Sequence, residues 1–219
     1  FYKFDGQIKP DSGIVAGDIL KIGNISDRGF VIDRQLTLMP LDNTSKISNG
    51  FIHLVKGSDG STVSGLTINN TKGSLSINGI YVSQLHGIWI TKSNNNTIMN
   101  NIIRIAYAAG VYAMPMGWSS YNRIIGNDMS TYFTCVMVMG QCHYNLISKN
   151  KLETLDYNDL IVSNLIYFNP FGHADYGGSP LCLGNVISDN YLKAFCNGAM
   201  SIVLQLVYEN HINTTIANN

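Results

Sequence analysis

Short apolar runs, each closed by Gly, Asn, Ser or Asp, follow one another along the chain, and no stretch keeps a 3.6-residue apolar period with capping signals at its ends. The runs are GIYVS (79–83), HGIWITK (86–92), AGVYAM (109–114), TCVMVM (134–139), LIVSNLIYF (160–168) and MSIVLQLVY (200–208). They alternate apolar with other residues, or stay apolar throughout, at lengths typical of strands. The pattern predicts an all-β chain.

A second pattern recurs between the runs. NTIMNNII (96–103), YNRIIGND (121–128), YNLISKNK (144–151) and GNVISDNY (184–191) all contain Asn-x-Ile-x-x-Asn, and TTIANN (214–219) repeats it with Thr in the first position. Asn96, Asn122, Asn145 and Asn185 open the motif, and Ile98, Ile124, Ile147 and Ile187 follow. Asn101, Asn127, Asn150 and Asn190 come next, before an apolar residue at Ile103, Met129, Leu152 and Leu192. STVSGLTI (61–68) is a degenerate copy, with Val63, Leu66 and Ile68 in the places of Ile98, Asn101 and Ile103.

Copy-to-copy steps are 26, 23, 40 and 29 residues. A recurrence of this length marks a solenoid with one supersecondary unit per repeat. Several short strands and no helix per unit match one turn of a parallel β-helix, whose coils hydrogen-bond to each other at about 4.8 Å. At this repeat length the chain makes about eight coils. Stacking would pile the isoleucines into an interior column. It would also let Asn101, Asn127, Asn150 and Asn190 form a ladder, each amide bonding to the coils above and below. No linker divides residues 1–219, which read as one domain; because the chain begins at Phe1, it is expected to be a segment of a longer protein.

STVSGLTI, NNTIMNNII, YNRIIGNDM and GNVISDNYL resemble the right-handed parallel β-helix repeats shared by pectate-lyase-like and NosD-like proteins. They are most similar to those of the adhesin-like surface proteins of methanogenic archaea. In that group an opening such as residues 17–42 precedes the array. The resemblance implies the fold and an extracellular or cell-surface location; it implies no single activity, because the same repeats carry lyases, hydrolases, tailspikes and passive stalks.

Charge is balanced, with 14 basic and 14 acidic residues, and the basic ones are scattered. A nucleic-acid partner is therefore not expected, nor is insertion into a membrane. Five Asn-x-Ser/Thr sequons, at Asn24, Asn43, Asn69, Asn95 and Asn213, suit an exported glycoprotein. Cys142 and Cys182 each stand three residues before a motif Asn, in the column of Ser93, Ser119 and His211. A disulfide between vertical neighbours is geometrically permitted, and a reduced stacked pair is the alternative. Cys135 and Cys196 sit in apolar surroundings and read as packing residues.

Chemistry is sparse. No carboxylate lies between Asp59 and Asp128, and the five histidines lack metal-ligand spacing, so neither a metal nor a cofactor is expected. The 40-residue step must eject a loop, placed at 169–180. An acid/base group there would draw on Asp156, Asp159, His173 and Asp175, with His143 in reach. The residues expected to bind a ligand are Trp118, Tyr121, Tyr144, Tyr157, Phe171, His173 and Tyr176. Three readings follow. The first is an adhesin-like module that binds a glycan or a surface protein, or acts as a stalk. The second is a polysaccharide lyase or glycoside hydrolase acting on uronate-rich glycans, and the third is a surface protein that self-associates end to end through an uncapped coil.

Overall fold

The computed structural model describes residues 8–9, 12–72, 75–77, 80–82, 86–105, 112–155, 162–169, 181–194, 200–206 and 211–219. Within them the chain is all-β, and its strands build three long parallel sheets and a short parallel pair, β21 (Cys182–Leu183) with β25 (His211–Ile212). Sheet I stacks β1 (Ile19–Ile22), β4 (Thr37–Pro40), β7 (Thr62–Ser64), β12 (Thr97–Met99), β15 (Arg123–Ile125), β18 (Leu146–Ser148), β22 (Val186–Ser188) and β26 (Thr215–Ala217). Sheet II stacks β2 (Ile25–Ser26), β5 (Lys46–Ser48), β8 (Thr67–Asn70), β13 (Ile102–Ile105), β16 (Asp128–Thr131), β19 (Lys151–Thr154) and β23 (Tyr191–Lys193). Sheet III stacks β3 (Gly29–Ile32), β6 (Phe51–Leu54), β11 (Ile88–Thr91), β14 (Tyr112–Gly117), β17 (Thr134–Met139), β20 (Val162–Asn169) and β24 (Met200–Leu206). The chain visits sheets I, II and III in turn and then returns to sheet I, so each circuit adds one parallel strand to each sheet. That is a parallel β-helix solenoid. No helix among the described residues is long and apolar enough to cross a membrane.

The interior is made of columns. In sheet I the registered residues Leu38, Val63, Ile98, Ile124, Ile147 and Ile187 are fully buried. In sheet II the same holds for Ile47, Ile68, Ile103, Met129 and Leu152. Sheet III contributes Ile52 with Ile88, Leu54 with Ile90, and Val138 with Phe168. Each such side chain is worth about 1.5 to 3 kcal/mol of burial.

In every described coil but one, β4–β5, where five residues (41–45) intervene, sheets I and II meet at a two-residue corner. Its first residue is left-handed: Gly65, Asn100, Gly126, Lys149 and Asp189 have φ between 55° and 69°. Its second residue turns inward, and from Asn101 onward it is always Asn. The Asn127 Oδ1 accepts from the backbone N–H of Asn101 (3.0 Å) and from its Nδ2 (2.9 Å). The Asn127 Nδ2 donates in turn to Ile98 O (2.9 Å) and to Asn150 Oδ1 (3.0 Å). Asn150 bonds to Asn190 in the same way, and Asn190 to Asn219. A parallel column runs through Asn96, Asn122, Asn145 and Asn185 just before sheet I. These amides satisfy buried backbone donors and acceptors that a tight corner would otherwise orphan.

Three features differ from the sequence reading. Residues 17–42 do not stand ahead of the array: β1 to β4 already lie in the three sheets, and β4 pairs β7. Those coils close with Ser61 and Leu66 where later coils have Asn, and Ser61 N and Leu66 N donate to Asn96 Oδ1 and Asn101 Oδ1. Second, the run at 79–83 is not a solenoid strand. β9 (Leu75–Ile77) and β10 (Ile80–Val82) pair antiparallel, as the Asn-Gly dipeptide at 78–79 favours.

Third, Cys142 and Cys182 are free, buried thiols, not the disulfide that their spacing permits. They continue a column in which Ser93 N donates to Ser119 Oγ (3.3 Å) and Ser119 N donates to Cys142 Sγ (3.3 Å). The Cys142 thiol donates to Met139 O and the Cys182 thiol to Gly140 O. With each S–H directed at a carbonyl, the two sulfurs stack like the serines before them. Burial pushes the Cys142 thiol up to about 12. Cys135 is also free and buried, and Cys196 lies outside the described residues.

Candidate functional site

Three outward surfaces carry the side chains with chemistry. The first is the turn that leads into sheet I, where Tyr121 (φ 59°) and Tyr144 (φ 53°) are both left-handed and about half exposed. Their rings stack on each other, 5.2 Å between centroids and 17° between planes. The Tyr144 ring also covers the α-carbon of Gly184, where a Cβ would come within 2.5 Å of it. Trp118 (φ 48°) is half-buried and lies over Gly140 in the same manner. Vertical neighbours about 4.8 Å apart stack face to face, so the faces a sugar would use are turned towards the next coil and the edges point to solvent. His143, beside them, accepts from Leu183 N through Nδ1 (3.1 Å), and burial lowers its pKa.

The second surface is the outer face of sheet III. Val31, His53 and Trp89 are registered on β3, β6 and β11. His53 stacks on Trp89 at 4.3 Å and 10°, and His86 meets the same indole edge-on at 5.0 Å. Burial, with a smaller push from His86, lowers the His53 pKa to about 4, so its ring is neutral at pH 7. Its Nε2 is 3.1 Å from the Thr91 hydroxyl. Val31, Phe51 and Met137 are buried although they stand apart from the core cluster, so this face is a second apolar layer.

The outer face of sheet II is the third. Across β13, β16 and β19, Arg104 pairs with Asp128 at 2.9 Å, and Lys151 lies 3.9 Å from Asp128 and 3.6 Å from Glu153. Ile102 and Tyr191 are exposed at either side of this network.

Residues 23–214 match the model of the family described as protein of unknown function (DUF1565), a family associated with parallel β-helix proteins. The chain belongs to this family. No curated protein matches it significantly.

The DUF1565 match spans all three surfaces, and the family's description assigns chemistry to none of them. Asp156, Asp159, Tyr157, Phe171, His173, Asp175 and Tyr176 lie outside the described residues. By chain connection, 156–161 leads into β20 and 170–180 leaves it. Among the described residues, no three His, Cys, Asp or Glu side chains are placed to hold a metal ion. Two features went unread in the sequence: the His53–Trp89 stack and the sheet II ion network. His53 and Trp89 are 36 residues apart, and only the coil register aligns them. The signal for Arg104, Asp128, Lys151 and Glu153 was their position one or three residues past a motif Asn, which turns them outward.

Proposed function

We propose that this chain is an adhesin-like β-helix module outside the cell or on its surface, a rigid rod whose open faces bind a glycan or protein partner. One observation carries the reading. The polar and aromatic side chains lie in rows along flat faces and pair vertically from coil to coil, which suits recognition of an extended partner better than chemistry at one bond. The sequon asparagines Asn24, Asn43, Asn69, Asn95 and Asn213 are all exposed, in keeping with an exported glycoprotein. A glycan array run beside a uronate-release assay tests the proposal: capture without release of product supports it, and release of product overturns it.

A second reading, a lyase or glycoside hydrolase on uronate-rich glycans, is favoured by one arrangement. Asp156 and Asp159 precede β20, the longest described strand, and His173 and Asp175 follow it. Product release that Asp159→Asn and Asp175→Asn abolish would establish that reading.

A further inference from the structure

The turn column just ahead of sheet I is left-handed in every coil from Gly60 to Asn213. Gly60, Asn95, Tyr121, Tyr144, Gly184 and Asn213 all have φ between 53° and 77°. Glycine and asparagine adopt that conformation cheaply, whereas a tyrosine in it is strained, and strain of this kind persists where it serves a site. Coil register sets Asn95 above Tyr121 and Tyr121 above Tyr144, because Thr97, Arg123 and Leu146, two residues on in each coil, pair in sheet I. β7 lies before this stretch and β22 after it, so neither end of the chain uncovers it.

Tyr121 is 53% exposed, and Tyr144 covers only one face of its ring. The other face looks towards the coil of Asn95, about 4.8 Å away. A sugar arriving from solvent meets the ring edge, but a sugar hung from the Asn95 side chain would lie along the open face.

Asn95 opens the sequon Asn95-Asn96-Thr97. Asn96 is fully buried in its ladder, so its neighbours Asn95, exposed, and Thr97, half-buried, both face outward. Neither the Asn95 amide nor the Thr97 hydroxyl has a hydrogen-bond partner among the described residues. Three other sequons are engaged. Lys46 N donates to Asn24 Oδ1 (3.1 Å), the buried Ser45 hydroxyl that completes the Asn43 sequon donates to Asp42 (3.0 Å), and the Thr71 hydroxyl of the Asn69 sequon donates to Asn49 (3.1 Å). Asn213 shares the column of Asn95, but the coil beside it offers Gly184 in place of a ring.

We propose that Asn95 is an N-glycosylation site and that the first sugar of its glycan packs on the open face of Tyr121. In the transfer, Asn95 Nδ2 bonds to C1 of an oligosaccharide activated as its polyprenyl diphosphate. The bond from C1 to the phosphate oxygen breaks, polyprenyl diphosphate leaves, and one amide proton passes to a base of the transferase. The inference rests on the extracellular part of the proposed function and adds a covalent glycan to it.

The test is mass spectrometry of intact glycopeptides from the chain purified out of the surface and cytoplasmic fractions of the cells that make it. In the surface chain Asn95 should carry a glycan and be more occupied than Asn24, Asn43 or Asn69. Thr97→Val should abolish that glycan and Thr97→Ser should keep it. Proton spectra of the glycosylated chain should show the first sugar shifted upfield by the Tyr121 ring, and the glycan should raise the melting temperature by about 2 °C. Tyr121→Asn, which restores the column's usual residue and so spares the fold, should erase both effects. A surface chain with bare Asn95 overturns the inference and leaves the module reading standing, whereas a chain found only in the cytoplasm removes both. A glycan on Asn95 whose first sugar is indifferent to Tyr121→Asn overturns the packing on the ring.

Discussion

The corner between sheets I and II and the passage from sheet II to sheet III belong to the same coils, yet they obey different rules. At the corner two residues separate the strands in β1–β2, β7–β8, β12–β13, β15–β16, β18–β19 and β22–β23, and only β4–β5, ahead of the asparagine columns, takes five. The other passage takes two residues between β16 and β17, six between β13 and β14, seven between β19 and β20, and a whole hairpin between β8 and β11. Where a side chain bonds to the coils above and below, both its identity and the length of the segment are fixed. Where the chain only has to come round to the next strand, length drifts, and loops are the place where new function is added.

That contrast is breakable. Inserting Gly-Ser between Gly126 and Asn127 should prevent the C-terminal coils from stacking and abolish cooperative unfolding, because every later column would slip out of register. The same dipeptide placed within 106–111 should leave a cooperative transition, as circular dichroism melts would report. A milder break is Asn127→Ala, which strips the acceptor from two Asn101 donors and leaves Ile98 O without its Nδ2 partner. It should cost about 3 kcal/mol in urea unfolding.

Acid probes the sheet III side. His53 is neutral in the fold down to about pH 4, while its unfolded imidazole takes up a proton near 6.5. The unfolded state therefore binds more protons in that window. Stability should fall as pH drops from 6.5 to 4, by up to about 3 kcal/mol, and level off below. His53→Asn should flatten that slope in urea midpoints measured at pH 7 and 4.5. The smallest effect sharpens the corner. Thr214 takes the place of a motif Asn, and its buried hydroxyl has no hydrogen-bond partner. Thr214→Asn should extend the column from Asn185 and raise stability by about 1 kcal/mol.

These regions were unequally legible for the same physical reason. Ile98, Ile124, Ile147 and Ile187 are spelled alike because one interior column selects one shape, and spacing alone placed them in register. The first coils, β1 to β6, are hard to see in the sequence because they lie beyond the degenerate copy at 61–68, where Ser61 and Leu66 end the asparagine columns, and carry no Asn-x-Ile-x-x-Asn of their own. The apolar pattern of 79–83 is that of any solenoid strand, and only the Asn78-Gly79 dipeptide distinguishes the hairpin of β9 and β10. On the outer faces spelling is unconstrained, so His53 finds Trp89, and Asn95 finds Tyr121, only through coil register. A free thiol pair and a disulfide have the same spacing, and the direction of each S–H separates them.

The central claim is that buried asparagine columns hold the solenoid together, and native-state hydrogen exchange tests it most directly. The backbone amides of Asn101, Asn127 and Asn150 each donate to the next asparagine's Oδ1, so they should exchange only through global or near-global unfolding, with protection matching the free energy from urea. Exchange of those three amides as fast as that of exposed turn amides would contradict the account.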